Sequence, residues 1–158
     1  MTGVTVDETG GGGDPLLARK KVLVIDDNPT IVELIRHAVG LQGKYQVVVA
    51  YDGVQGLERF HEEQPDCVIV DVKMPKMDGY QVVRCIRGDQ ASANTPLIIL
   101  SAMLEEDDKL TGLLSGVDEY LAKPFKPSVL CATLERVMEI TPREREERIQ
   151  ALAADSPK

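Results

Sequence analysis

Residues 67–79 read CVIVDVKMPKMDG, four apolar residues that end in an aspartate and lead into a loop containing proline and glycine. An uninterrupted apolar run of this length is typical of a strand buried on both faces, because a half-buried strand would alternate apolar and polar residues. Such strands occur in parallel sheets that helices cover on both sides. We therefore interpret Asp71 as the end of a central parallel strand, where ligand sites form in open α/β sheets.

Similar short apolar runs alternate along the chain with longer segments of helical periodicity. The predicted strands are 22–25, 47–50, 67–70, 97–100 and 119–122, and the predicted helices are 29–39, 53–63, 78–87, 104–114 and 128–138. Because crossover connections between parallel strands are right-handed, this alternation predicts an open α/β sheet in three layers.

The chain divides into three parts by composition. Residues 1–19 contain a run of four glycines and little periodic hydrophobicity, so we predict a flexible leader. Residues 20–139 hold the alternating pattern and form the single predicted domain. Residues 140–158 are mostly polar, and we expect a segment of this size to be too small for an output domain.

The polar tail carries a helix signal of its own. Thr141, Pro142 and Glu144 suit an N-cap, a first-turn proline and the acid of a capping box. Glu144 and Arg148 form an i,i+4 pair. We predict a short helix to about Ala153 and favour a solvated helix over a partner-binding or coiled-coil extension.

Composition argues against several classes of function. The chain has 158 residues and 43% hydrophobic content, enough for one core, and its net charge of −8 argues against a nucleic-acid surface, which needs clustered Lys and Arg. No stretch approaches the roughly 20 apolar residues of a membrane span, so we expect a cytoplasmic protein without membrane contact. The three cysteines are odd in number and show no C-x-x-C spacing, and each falls in an apolar segment, so we predict reduced core residues at Cys67, Cys85 and Cys131.

Several polar side chains fall at the ends of predicted strands. Because the carboxyl ends of parallel strands share one edge of the sheet, we expect these side chains to converge. They are Asp26, Asp27, Asp71, Ser101 and Lys123. Carboxylates crowded in one place repel one another unless a cation compensates their charge. Mg²⁺ suits this cluster best, since it binds through one or two carboxylates and keeps waters and phosphate oxygens as its other ligands.

Phosphoryl transfer is the chemistry that this set favours, because that reaction needs mainly positioning and neutralisation of charge. Asp71 is the candidate nucleophile, since it ends the central strand. Lys123 would pair with the acceptor oxygens and then with the added phosphate, while Ser101 would donate a hydrogen bond to a phosphate oxygen. The bond between Lys123 and Pro124 is either cis or trans, and the cis form would aim the amine at the site.

In four stretches the sequence resembles the receiver domain of bacterial two-component response regulators, including the stand-alone chemotaxis regulator. The stretches are VLVIDDN at 22–28, VIVDVKMPKMDG at 68–79, IILSA at 98–102 and GVDEYLAKPF at 116–125. The resemblance covers about residues 20–139. It implies a flavodoxin-like fold, a three-layer sandwich whose five parallel strands lie in the order 2-1-3-4-5.

The resemblance also implies a role for each residue of the metal site. Asp71 would be the phosphoacceptor and, with Asp27, would bind Mg²⁺ or Mn²⁺ directly. Asp26 would act through a water molecule, and the backbone carbonyl of Lys73 would complete the protein's share of the coordination shell. We also expect Gly79 to allow the loop after the acceptor a backbone conformation that other residues resist.

Two residues form the implied switch. Ser101 would move toward the new phosphate, and Tyr120, three residues before the lysine, would turn inward behind it. Phosphorylation adds a charge of about −1.5 to −2 and strong acceptor oxygens, which can change the balance between two packings of similar energy.

We therefore expect a phosphorelay signalling switch rather than an enzyme, one that assists its own phosphorylation and dephosphorylation. A sensor histidine kinase or a phosphotransfer protein would supply the phosphoryl group. The output would pass through the last two predicted helices of the domain and the fifth strand, to an unidentified downstream protein or to a second copy in a phosphorylation-dependent homodimer. Two alternatives stay open: a Mg²⁺-dependent aspartyl-phosphate phosphatase, and a receiver-like scaffold that binds partners without phosphorylation.

Two positions depart from the commonest pattern of the family. Lys73 is often a smaller or an amide residue in relatives, and Met103 offers no polar group to orient an attacking water. We hypothesise a phosphorylated form that lasts minutes to hours rather than seconds.

Overall fold

The computed structural model describes residues 19–102 and 116–155. The strands are β1 (Lys20–Ile25), β2 (Tyr45–Ala50), β3 (Cys67–Asp71), β4 (Leu97–Ser101) and β5 (Glu119–Ala122). The helices are α1 (Pro29–Gly40), α2 (Gly53–Glu63), α3 (Gly79–Gly88), α4 (Pro127–Met138) and α5 (Pro142–Asp155), with a short 3₁₀ helix at Gln90–Ser92. The predicted helix 104–114, Met103 and nearly all of the predicted leader lie outside the described residues.

All strand pairs of the sheet are parallel, and the strand order is β2-β1-β3-β4-β5. The predicted fold class and strand order are therefore confirmed. The register brings the carboxyl ends level, since Ile25 lies beside Val70 and Ser101 beside Ala122. The residues that end or follow these strands consequently share one edge of the sheet.

The core lies on both faces of this sheet, which explains the uninterrupted apolar strands. In β1, Leu23 and Ile25 pack toward α2 and α3, while Val22 and Val24 pack toward α1 and α4. Every residue of β3 is buried. Because helices cover both sides of the sheet, the three predicted layers are present and β3 lies at the centre.

The polar tail forms α5, and its predicted capping box is confirmed. The backbone N–H of Glu144 donates to Thr141 Oγ1 at 3.1 Å, and the backbone N–H of Thr141 donates to the Glu144 carboxylate at 3.1 Å. The prediction of a solvated helix was wrong on one face, because Arg145 is buried and forms an ion pair with buried Asp118. The sequence pattern does not show that Asp118 needs a cation from a distant segment.

All three cysteines are free, as predicted, but the prediction of a core position holds at only two of them. Cys67 and Cys131 are buried free thiols, whereas Cys85 is exposed. In α3 the buried face is formed by Val82, Val83 and Ile86, and the helical spacing turns position 85 away from the sheet. Apolar neighbours in sequence were therefore a poor guide to burial.

Candidate functional site

Acidic residues at the ends of β1 and β3 meet at the carboxyl edge of the sheet. Asp26, Asp27 and Asp71 each offer a carboxylate oxygen, and these atoms lie within 4.8 Å of one another. Asp26 is fully buried and Asp71 is 5% exposed, whereas Asp27 faces solvent. The structure thus brings together the three acids that the sequence predicted.

Lys123 joins two of these acids. Its Nζ atom lies 2.9 Å from Asp26 Oδ2 and 3.0 Å from Asp71 Oδ1. The lysine is held in place through its backbone, because its N–H donates to the carbonyl of Ser101 at 2.7 Å. The bond between Lys123 and Pro124 is cis, which settles the isomer that the sequence left open.

The turn after β1 orients Asp26. The other carboxylate oxygen of Asp26, Oδ1, accepts the backbone N–H of Asn28 at 2.9 Å. Asn28 in turn caps α1, since its side chain accepts the N–H of Thr30 at 2.9 Å. Both oxygens of Asp26 therefore have partners within the protein.

Burial and crowding change the acid–base properties of the acceptor. The pKa of Asp71 is raised, mainly because burial disfavours its charged form and secondly because Asp26 is close, although Lys123 opposes both effects. Burial alone would lower the pKa of Lys123, but its hydrogen bonds and charge interactions with Asp26 and Asp71 outweigh burial, and its pKa is raised. The lysine therefore stays cationic beside the acceptor.

The loop between β3 and α3 passes close to the acceptor. The N–H of Gly79 donates to the carbonyl of Val72 at 2.9 Å, and a Cβ atom at Gly79 would collide with the backbone carbonyl of Asp71. We expected Gly79 to adopt a backbone conformation that other residues resist, and this was wrong. The residue of the loop with a positive φ angle, 71°, is Lys76. Gly79 is required by the space beside Asp71 rather than by its φ angle.

The two predicted switch residues lie on neighbouring strands. Ser101 is buried at the end of β4, and Tyr120 is half-buried in β5, with its ring against the core on the α2 and α3 side. The hydroxyl of Tyr120 lies 3.1 Å from the hydroxyl of Tyr80, the second residue of α3. Sequence reasoning missed Tyr80, although its position directly after Gly79 placed it near the acceptor.

The donor set fits a hard divalent cation. All three acidic side chains offer oxygen atoms, which Mg²⁺ prefers, and their spacing allows one ion to reach them. The pKa of Asp71 is raised mainly by burial and secondly by the charge of Asp26, and a bound cation would offset both effects. The residues present are therefore suited to a magnesium site.

Comparison with known proteins defines the class to which this fold and site belong. Residues 22–135 match the sequence model of the family described as response regulator receiver domain. The chain therefore belongs to the response regulator receiver family.

Individual relatives support the same assignment. The chain is 41% identical over 126 residues to the probable transcriptional regulator ycf27 of Guillardia theta, with 80% of this chain and 48% of that protein covered. It is 38% identical over 119 residues to the alkaline phosphatase synthesis transcriptional regulatory protein PhoP of Bacillus subtilis, with 75% and 48% covered. The chain thus spans about half the length of the curated relatives it matches.

Solved structures are similar over nearly their whole length. The chemotaxis protein CheY4 of Vibrio cholerae superposes with a TM-score of 0.72 and 34% identity, covering 76% of this chain and 99% of that chain. The BeF3-activated DrrB receiver domain superposes with a TM-score of 0.69 and 30% identity, covering 77% and 99%. Within residues 19–102 and 116–155, no helix has the length and apolar character needed to cross a membrane.

Proposed function

We propose that this chain is the phosphoaccepting receiver of a two-component phosphorelay, with Asp71 as the phosphoacceptor. The observation that carries the proposal is the bridge from Lys123 to both Asp26 and Asp71, at 2.9 and 3.0 Å, beside a third acid. The bridge holds the Lys123 ammonium group against an oxygen of Asp71. A divalent metal ion would compensate the charge of the acidic cluster beside it.

In the proposed reaction, an oxygen of the Asp71 carboxylate attacks the phosphorus of a phosphohistidine. The new O–P bond forms as the P–N bond breaks, and the imidazole leaves with the electron pair of that bond and takes up a proton. The phosphohistidine would belong to a sensor histidine kinase or to a phosphotransfer protein. The reaction needs little covalent help from the receiver beyond positioning and neutralisation of charge.

The residues around Asp71 have distinct proposed roles. Asp27 and Asp71, with the backbone carbonyl of Lys73, would hold Mg²⁺ or Mn²⁺, and Asp26 would contribute through water. When bound, the ion would supply charge compensation for the phosphoryl oxygens. Lys123 would neutralise the remaining charge, since its amine already lies at hydrogen-bonding distance from Asp71.

Ser101 has a proposed role after the transfer. Its buried position at the end of β4, on the strand next to β3, places it at the same sheet edge as Asp71. There it would donate a hydrogen bond to a phosphoryl oxygen, and its movement together with Tyr120 would alter the surface of β5 and α4. A downstream protein or a second copy of the chain would read this surface.

Labelling with a small phosphodonor tests the assignment of Asp71. Acetyl phosphate with Mg²⁺ should modify the wild-type protein once per chain, as read by intact mass, and chelation of the metal should prevent it. Asp71→Asn should remove the modification. Asp89→Asn is the matched control, because Asp89 is an exposed cap residue after α3 and asparagine also caps well. Equal labelling of the Asp71→Asn variant would refute the proposal.

Two further measurements, made beside the labelling experiment, separate the switch from the two alternatives. A haloacid-dehalogenase-type phosphatase needs a second acid two residues after the nucleophile, whereas this chain has the exposed Lys73 there. Multiple turnover of p-nitrophenyl phosphate would support that phosphatase, and stable single labelling would support the switch. Partner binding that is identical with and without phosphodonor would support a scaffold.

The output of the whole protein is a separate question. Relatives such as RpaA of Synechocystis carry the description of a DNA-binding master transcriptional regulator, and they extend to about twice the length matched here. Our prediction that the chain contacts no nucleic acid itself, because of its net charge of −8, stays a prediction.

A further inference from the structure

The contact between Tyr80 and Tyr120 connects two segments that are far apart in sequence. Their hydroxyl oxygens lie 3.1 Å apart, within hydrogen-bonding distance, and either one can be the donor. Both rings are half-buried and pack against the same core cluster, which includes Val70 and Ile99. The pair therefore joins the first turn of α3 to the middle of β5.

Both partners are tied to the acceptor through short stretches of chain. Tyr80 follows Gly79, which is packed so closely on the backbone of Asp71 that a Cβ atom there would collide with the Asp71 carbonyl. On the other side, Tyr120 lies three residues before Lys123, whose amine contacts the Asp71 carboxylate at 3.0 Å. Two routes that start at Asp71 thus meet at this hydroxyl pair.

We propose that Tyr80 is a positioning residue of the switch, whose hydroxyl holds Tyr120 in the inward conformation that phosphorylation of Asp71 favours. This inference rests on the proposed function and deepens it. The tyrosine after Gly79 gives this chain a polar contact to Tyr120 that a purely apolar side chain at position 80 would not provide. The contact thereby raises the population of the inward conformation, which is the minor one before any phosphoryl group is present.

The size of the effect follows from the strength of one hydrogen bond. Tyr80→Phe keeps the ring and its packing but removes the hydroxyl. A hydrogen bond of this kind contributes about 1 kcal/mol, which corresponds to about a fivefold change in an equilibrium constant. Because a ligand that selects one conformation binds more weakly when that conformation becomes rarer, Tyr80→Phe should weaken the binding of a phosphoryl analogue by about fivefold.

Fluorine NMR and analogue binding test this inference on the full chain. The chain contains only four tyrosines, so 3-fluorotyrosine labelling should give four signals, which single Tyr→Phe substitutions assign. In the metal-free protein, Tyr80→Phe should move the signal of Tyr120. With Mg²⁺ present, titration with beryllofluoride should show the fivefold loss of affinity in Tyr80→Phe and less than a twofold further loss when Tyr80→Phe is added to Tyr120→Phe.

Tyr45→Phe is the matched control. Tyr45 is buried at the amino end of β2, at the opposite edge of the sheet from Asp71. This variant should leave both the Tyr120 signal and the affinity for beryllofluoride unchanged.

Three outcomes would overturn the inference: an unmoved Tyr120 signal in Tyr80→Phe, a fivefold loss that persists in the Tyr120→Phe background, or the same loss in Tyr45→Phe. A wild-type protein that binds no beryllofluoride would instead refute the proposed function and the link to phosphoryl binding. Whether Tyr80 positions Tyr120 would still be decided by the fluorine signal alone.

Discussion

Arg145 of the tail helix donates to both carboxylate oxygens of Asp118, the residue directly before β5, including a bond of 3.1 Å from Nη2 to Oδ2. Arg145 is 5% exposed and Asp118 is 1% exposed. Asp118 also accepts the backbone N–H of Leu97 at 2.8 Å and the guanidinium of Arg87 at 3.2 Å. The tail helix is thereby joined to the starts of β4 and β5 and forms part of the folded domain.

Replacing Arg145 should therefore destabilise the whole domain. Arg145→Met leaves the buried Asp118 carboxylate with only one of its two guanidinium partners, and we expect the free energy of unfolding to fall by about 2 to 4 kcal/mol. Urea denaturation measures this change. Arg143→Met is the control, because the Arg143 side chain is 88% exposed and its pair with Glu147 contributes little. Equal effects of the two substitutions would show that the tail does not stabilise the domain.

The space beside the acceptor predicts opposite outcomes for two glycines of the same helix. Gly79→Ala places a methyl group against the backbone of Asp71 and Val72, so stability should fall by about 1 to 3 kcal/mol. Gly88→Ala at the other end of α3 meets no atom within 4 Å, and it should be neutral or slightly stabilising. Thermal unfolding of both variants checks this, and a well-tolerated Gly79→Ala would contradict the close packing.

Metal binding should appear as a rise in the unfolding temperature. A ligand that binds only the folded state stabilises it by about 2.7 kcal/mol at a concentration 100 times its dissociation constant. We expect Mg²⁺ to stabilise the wild-type protein and the Asp89→Asn control alike. Asp27→Asn should lose most of this response, because it removes an exposed carboxylate of the acidic cluster. A full response in Asp27→Asn would exclude Asp27 from the site.

The raised pKa of Asp71 predicts a pH dependence in the metal-free protein. The stabilising contribution of the protonated Asp71 carboxyl group is fully present below the pKa of the unfolded state, near 3.8. It is lost as the pH rises through the higher pKa of the folded state. Asparagine cannot ionise, so Asp71→Asn should become more stable relative to wild type as the pH rises from about 4 to 7. Chemical denaturation in chelator at several pH values measures this difference. A stability difference that does not change with pH would indicate an unshifted pKa.

Local patterns in the sequence were sufficient for the fold class and for the position of the acidic cluster, whereas the strand order was expected only from the family resemblance. Short apolar runs predicted five parallel strands, of which β5 is only half-buried, and the polar residues that follow the strands predicted the meeting of Asp26, Asp71 and Lys123. These inferences succeeded because the period of a strand, the cap of a helix and the convergence of strand ends depend on only a few consecutive residues.

The tertiary structure alone decided which distant side chains touch. Three contacts join segments whose spacing in sequence carries no signal. They are the burial of Arg145 against Asp118, the contact between Tyr80 and Tyr120, and the close approach of Gly79 to the backbone of Asp71. From its sequence alone a polar helix is predicted to be solvated, because the surface that it packs against is not known. A glycine is likewise predicted to be a turn residue, because the position of the neighbouring backbone is not known. Such contacts arise from the packing of whole elements, and they determine how the acceptor site connects to the rest of the protein.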